Sequence, residues 1–317
     1  MLNFLLLMVS FAPLLYGANL LVDSASSLAK KLNIPNIVIG LTVVAFGTSS
    51  PELVVNVFAS ATGNSTITIG NVIGSNILNV LVILGISAII YPLTVKSATT
   101  WIEIPLSLMA AAAVLVVAND PLIDQAAAPV IGRVDGIMLL LLFIVFIVYN
   151  FHSMRAGEYV EEIPTKEYSV KKSLLLLAAG LALLIVSGRL IVFFATRLAV
   201  EIGLSERIIA LTVVSIGTSL PELATSAVAA SKKHVDIAIG NIVGSNIFNI
   251  FLVLGVSAVI NPITVPAASN LDMLVNLGAG LLLFLFIFTG KGRQLERWEG
   301  IILVSLYAGY MTAVLLI

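Results

Sequence analysis

Apolar residues run along this chain in ten blocks, each close to the roughly 20 residues that carry a helix across a bilayer. Their bounds are 3–22, 36–60, 67–91, 101–118, 134–151, 173–196, 207–230, 237–260, 270–289 and 298–317. The first block lacks the positively charged leader of a signal peptide and has a counterpart later in the chain, so it counts as a helix. The connections are short except for 152–172, which carries Glu158, Glu161, Glu162, Lys166, Glu167, Lys171 and Lys172. This polar linker divides the chain into 1–151 and 173–317, five blocks each, and is too short to be a regulatory domain. The pattern therefore predicts an all-α membrane protein of ten transmembrane helices.

Composition agrees and excludes much else. Hydrophobic residues make up 59% and charged residues 10%, with a mean hydropathy of +1.12, whereas a soluble domain has about 25% charged residues and needs them to cover its surface. The net charge of -1 provides no basic surface for nucleic acid. Cysteine is absent and the two histidines, His152 and His234, lie outside the apolar blocks, so disulfides, thiolate or haem sites and a zinc centre are not expected. Nor is there a nucleophile–base pair or cofactor motif for an enzyme to use. The expected partners are the lipid bilayer and small ions, with no obligatory protein partner.

Basic residues orient the spans. With the N-terminus outside, the cytoplasmic connections hold Lys30, Lys31, Lys96, Arg155, Lys166, Lys171, Lys172, Lys232, Lys233, Lys291, Arg293 and Arg297, which is 12 of the 16 Lys and Arg. Arg133, Arg189, Arg197 and Arg207 are the rest. Both termini are thus expected outside the plasma (inner) membrane and the linker in the cytoplasm. Arg189 lies within the sixth block near its outer end and reads as snorkelling to the interface.

Residues 40–95 align without a gap on 210–265, at an offset of 170, and about half the positions are identical. Arg133-Val134-Asp135-Gly136 further resembles Arg297-Trp298-Glu299-Gly300. Each half is then one copy. Five spans per copy is an odd number, so the second copy must cross in the opposite sense. Two inverted-topology repeats of five helices are the architecture of secondary transporters, with half-sites meeting near the midplane.

The chemistry sits in the repeated segments. The second block contains Gly47-Thr48-Ser49-Ser50-Pro51-Glu52 and the seventh Gly217-Thr218-Ser219-Leu220-Pro221-Glu222, each about a dozen residues from either end. Pro51 lacks an N–H and crowds the Gly47 carbonyl, and Pro221 does the same at Gly217, so both helices must bend and free carbonyl oxygens. Freed carbonyls in hydrocarbon are costly unless something binds them. Glu52 and Glu222 are stronger signals still, because an ionised carboxylate at bilayer depth costs roughly 3 kcal/mol or more. The third and eighth blocks carry Gly70-Asn71-Val72-Ile73-Gly74-Ser75-Asn76-Ile77-Leu78-Asn79 and Gly240-Asn241-Ile242-Val243-Gly244-Ser245-Asn246-Ile247-Phe248-Asn249. Ser75 shares a helix face with Asn79, and Ser245 with Asn249. Gly70 with Gly74, and Gly240 with Gly244, form small-xxx-small surfaces for close helix approach. The pattern assigns no role to Asn71, Asn76, Asn241 or Asn246. Carboxylate, hydroxyl, amide and carbonyl oxygens suit hard cations such as calcium and sodium. Two carboxylates neutralise one divalent or two monovalent cations, so Ca2+ and Na+ can compete for one site.

At these motifs the chain resembles the sodium/calcium exchangers of the calcium/cation antiporter superfamily, above all the compact prokaryotic members. The resemblance covers nearly the whole chain. It implies sodium-driven calcium transport by alternating access, with the first and sixth helices long, tilted and mobile against the other eight. It implies a calcium site of Glu52, Glu222 and the carbonyls of Thr48 and Thr218. One sodium site would use Ser49, Glu52, Ser75 and the Ala45 carbonyl, its mirror Ser219, Glu222, Ser245 and the Ser215 carbonyl, and a central site Glu52, Asn79, Glu222 and Asn249. Some relatives have Ala at the position of Ser215 and Asp at that of Asn249; the asparagine leaves one fewer potential charge. No cofactor is implied beyond the transported ions. A proton-coupled Ca2+ or cation antiporter, with protons on Glu52 and Glu222, and a passive cation channel are the alternative readings. Stoichiometry and potassium dependence are not written in the residues.

Overall fold

The computed structural model of the protein describes residues 2–119, 128–155, 166–201, 215–266 and 268–316. These fold as helices linked by short turns and four two-residue strands. In chain order the helices are α1 (Leu2–Leu32), α2 (Asn36–Thr48), α3 (Ser50–Ala61), α4 (Ser65–Ile90), α5 (Thr99–Val117) and α6 (Arg133–Arg155). They continue with α7 (Val170–Glu201), α8 (Ser215–Thr218), α9 (Leu220–Ser231), α10 (Val235–Ile260), α11 (Ser269–Phe286) and α12 (Arg297–Leu316). Each apolar block falls on helix where it is described, give or take a few residues at the ends. Residues 207–214 of the seventh block lie outside the described residues, as do Glu158, Glu161 and Glu162 of the linker and Arg207.

Seven of these helices are long and apolar enough to cross a membrane, or eight if the bent pair α2 and α3 is one span. The protein is therefore a multi-pass, all-helical membrane protein. Against the ten spans expected, α8–α9 and α12 fall outside that count among the described residues.

Helices α1 and α7 are the longest, at 31 and 32 residues. At 1.5 Å per residue each is about 46–48 Å, well over the roughly 30 Å of hydrocarbon, so they must tilt or protrude. They pack on each other closely enough that a Cβ on Gly180 would lie 2.8 Å from the Gly17 carbonyl oxygen. Leu14, Leu21 and Leu184 belong to a hydrophobic cluster of this pair and its neighbours. A separate, larger cluster unites α4, α5, α6, α10, α11 and α12. The C-terminal end of α1 is held by polar contacts. Asp23 pairs with Lys232 at 2.6 Å and Lys166 at 3.0 Å, and Ser26 Oγ lies 3.3 Å from His234 Nδ1. Arg189 is exposed on α7.

The two halves are joined crosswise. Strand β1 (Leu93–Thr94), just after α4, pairs antiparallel with β4 (Gln294–Leu295), just before α12. Strand β2 (Val130–Ile131), before α6, pairs with β3 (Ile263–Thr264), after α10. The helices that follow are pressed tight by the glycines of the Arg-x-acid-Gly repeats. A Cβ on Gly300 would meet the Gly85 carbonyl, and one on Gly136 the Gly255 carbonyl. Asp135 and Glu299 in those repeats accept backbone N–H groups, of Gly132 and Glu296, at the starts of α6 and α12. The burial of Glu299 therefore has a structural cause.

Candidate functional site

The helix break expected at Pro51 falls at Ser49, whose φ of −83° and ψ of 3° leave the helical region. The axis bends by 47° between α2 and α3. Pro51 cannot donate to the Gly47 carbonyl, and the Ser50 hydroxyl does so instead. Thr48 ends α2, which puts its carbonyl among the last four that have no partner within that helix. Ser219 repeats the break between α8 and α9, with φ −89° and ψ 7°. Glu52 and Glu222 thereby sit in the first turns of α3 and α9, where the helix dipole favours negative charge.

Helices α4 and α10 bring the second motif to these breaks. Both change to π-helical turns, over Asn79–Leu84 and Phe248–Leu254, at the motif's last asparagine or one residue before it. Such turns shift the side-chain register and recur at functional sites. Of the glycines in this motif, Gly240 and Gly244 make the close crossing expected. A Cβ on Gly240 would lie 2.8 Å from the Ile37 carbonyl, and one on Gly244 2.7 Å from that of Leu41. At Gly70 and Gly74 a Cβ would meet nothing within 4 Å among the described residues.

The hydrogen bonds connect the halves. Ser49 Oγ donates to Glu222 Oε1 at 3.1 Å, and Ser219 Oγ lies 3.4 Å from Glu52 Oε1 and 3.3 Å from Ser75 Oγ. Ser75, grouped with Ser49 on the resemblance, is thus found on Ser219. The threonines follow the same rule. Thr48 Oγ1 donates to Asn241 Oδ1 at 3.0 Å, and Thr218 Oγ1 lies 3.5 Å from Asn71 Oδ1. Asn241 also donates to Ser226 Oγ at 2.9 Å, and Asn71 to Asn56 Oδ1 at 2.6 Å. The Ala45 carbonyl already accepts the Ser49 N–H at 2.9 Å, and Ser215 opens α8.

Glu52, Glu222, Ser49, Ser219, Thr48, Ser75, Ser245, Asn79 and Asn249 are all buried. Five of their oxygens have no hydrogen-bond partner: Glu52 Oε2, Glu222 Oε2, Asn79 Oδ1, Asn249 Oδ1 and Ser245 Oγ. Buried oxygens of this kind are costly and rare, and each requires an explanation. All five can accept, and unpartnered buried side-chain atoms also occur outside these motifs, at Asn36, Asn150, Thr225 and Asn276. Among the described residues no group of three or more His, Cys, Asp or Glu is placed to hold a metal ion. The chemistry available is two carboxylates amid neutral oxygens, which suits a hard cation that must also be released.

The family model described as sodium/calcium exchanger protein matches residues 2–152 and 172–316. The chain belongs to that family. Its relatives include the sodium/calcium exchanger MaX1 of Methanosarcina acetivorans, 30% identical over 348 residues, covering 98% of this chain and 97% of MaX1. The inner membrane protein YrbG of Escherichia coli is 37% identical over 311 residues, covering 95% of this chain and 93% of YrbG. Among solved structures, the sodium-calcium exchanger NCX_Mj soaked with 10 mM Na+ and zero Ca2+ superposes with a TM-score of 0.84 at 33% identity over 98% of both chains.

Proposed function

We propose that this protein is a secondary active transporter that exchanges Na+ for Ca2+ by alternating access. The reading is carried by one observation: two buried glutamates, one from each repeat, each leave a carboxylate oxygen unpartnered, as do the buried amides of Asn79 and Asn249 and the hydroxyl of Ser245 in the second motif. Membership of the exchanger family and the likeness to NCX_Mj support the same ions as substrates. Calcium would be bound by Glu52, Glu222 and the carbonyls of Thr48 and Thr218. The crosswise bonds favour sodium sites built across the halves, one from Glu52, Ser219 and Ser75 and the other from Glu222 and Ser49, to which the repeat adds Ser245 as the counterpart of Ser75. The Ala45 and Ser215 carbonyls complete them, and Asn79 and Asn249 line the centre between them.

Coupling follows from charge. Two carboxylates buried together without a counter-ion cost several kcal/mol, so the carrier cannot close over an empty site. One Ca2+ or two Na+ would remove that cost, and the two loads exclude each other. The scaffold in this reading is ten spans in two inverted repeats, 1–151 and 173–317, with α1 and α7 sliding across the rest. Both termini lie outside the plasma membrane and the linker 152–172 inside, as the basic residues favour.

The test is calcium-45 uptake into proteoliposomes loaded with sodium, against potassium-loaded vesicles and an imposed pH gradient. Uptake is expected only with internal sodium; uptake driven by protons without sodium would overturn the coupling. Glu52→Gln and Glu222→Gln are each expected to lower the flux by about a hundredfold while inserting normally, the scale set by losing a charged ligand. Flux at the wild-type rate in either variant would remove the site from those residues.

A further inference from the structure

An asparagine that binds a cation has an orientation problem. Its amide oxygen accepts and its nitrogen donates, and a half-turn about the last side-chain bond exchanges the two at little steric cost. Only the oxygen can face a cation. Asn79 and Asn249 therefore need something that fixes the amide, above all Asn249, where a carboxylate would present oxygen either way round.

The structure contains such a device. Asn76 Nδ2 donates to the backbone carbonyl of Asn246 at 3.2 Å, an atom that can only accept. Asn76 is thereby locked with its Oδ1 turned to the other side. That oxygen can only accept in turn, and it takes Asn249 Nδ2 at 3.0 Å. With its nitrogen engaged, Asn249 leaves Oδ1 buried and unpartnered. The mirrored contact is present as well: Asn79 Nδ2 donates to Asn246 Oδ1 at 2.9 Å, and Asn79 Oδ1 is likewise unpartnered. All four side chains are buried. Asn76 and Asn79 are three apart on α4, as Asn246 and Asn249 are on α10, so each helix offers one orienting and one oriented amide.

We propose that Asn76 and Asn246 are positioning residues, which hold the amides of Asn249 and Asn79 with their oxygens toward the transported cation. The proposal rests on the reading of Asn79 and Asn249 as cation ligands. Asn76 touches no ion. It decides whether Asn249 meets a cation with an oxygen or with a repelling NH2 group.

The test is a double-mutant cycle read by the half-saturating concentrations of both ions, external calcium and internal sodium, in calcium-45 uptake by proteoliposomes. Asn76→Leu keeps the volume and removes the acceptor. It is expected to raise half-saturation about tenfold, with the maximal rate little changed, the scale of one buried hydrogen bond. Asn249→Ala is expected to weaken binding too, and adding Asn76→Leu to it should do nothing more, since no amide is left to orient. Wild-type affinity in Asn249→Ala would overturn the ligand reading on which the proposal stands. Weakened Asn249→Ala with wild-type affinity in Asn76→Leu would overturn the positioning role alone. The same loss from Asn76→Leu with and without Asn249 would show a merely structural role and overturn it as well. Asn76→Ala and Asn76→Ser, which are smaller, run the same cycle if the leucine variant does not reach the membrane.

Discussion

Ser245 shows what a single side chain contributes at this site. It is fully buried on α10, and its hydroxyl has no partner, whereas its counterpart Ser75 lies 3.3 Å from Ser219 Oγ. Removing a hydrogen-bonded hydroxyl strands its partner, but removing this one strands nothing. Ser245→Ala is thus expected to leave thermal stability unchanged and to raise the sodium concentration for half-maximal exchange about five- to tenfold. Sodium titration of calcium-45 flux, beside a melting curve, checks both halves of that statement. The roles of Ser49, Glu52, Ser219 and Glu222 as a polar cluster were legible in the sequence, because the repeat and the prolines mark them. Their partners were not. Spacing along one helix tells which side chains share a face, but not which neighbouring helix meets that face. The link from Ser49 to Glu222, and from Ser75 to Ser219, is therefore visible only in three dimensions. Asn71 and Asn241 were missed for the same reason; the signal was their shared face with Ser75 and Ser245, four residues on.

At the scale of elements, the glycines of the second motif have unequal duties. Gly244 lies where α2 crosses α10, and a side chain there would collide with the Leu41 carbonyl and with Ala45 Cβ at 2.8 Å. Backbone cannot yield as a flexible side chain can. Gly244→Val is expected to destabilise the protein by at least about 1–3 kcal/mol, the cost of overpacking, and to lower its melting temperature in detergent. Gly278→Ala on α11, where a Cβ meets nothing within 4 Å among the described residues, serves as the control and should be neutral or slightly stabilising. Among the described residues, helix positions and the broken helices could be read from hydropathy and proline. The lengths of α1 and α7 could not, since both run past their apolar blocks into polar residues. Their extra turns are held by contacts such as Asp23 with Lys232, which no window of hydropathy registers. The π-helical turns beside Asn79 and Asn249 left no trace in the pattern either, because one inserted residue is lost in a run of Ile, Leu and Val.

At the scale of the whole molecule, the C-terminal end of α1 is moored to the turn between α9 and α10, and His234 is part of the mooring. Burial holds its imidazole below the ordinary histidine value, and Lys232 adds to the effect while Asp23 opposes it. A lowered value means that the moored state favours the neutral ring. Its contribution is complete above the ordinary value of about 6.5 and is lost as pH falls below it, because arrangements with α1 released take up the proton first. Melting temperature in detergent is expected to drop between pH 8 and pH 5.5, and the drop should shrink in His234→Asn, which installs the residue found at the mirrored position, Asn64. An equal drop in both proteins would place the sensitivity elsewhere.

The paired strands β1 and β4 also put time into the assembly of this protein. Leu93 pairs with Leu295, so the first strand waits for a partner about two hundred residues further along the chain. Synthesis proceeds at about 5–20 residues per second, which leaves the strand edge open for roughly 10–40 s. At the start of that interval the polar face of α4 is already made, while Ser219 and Asn246, which it will meet, are still to come. The clip that joins the two halves therefore closes only after nearly the whole chain has been made.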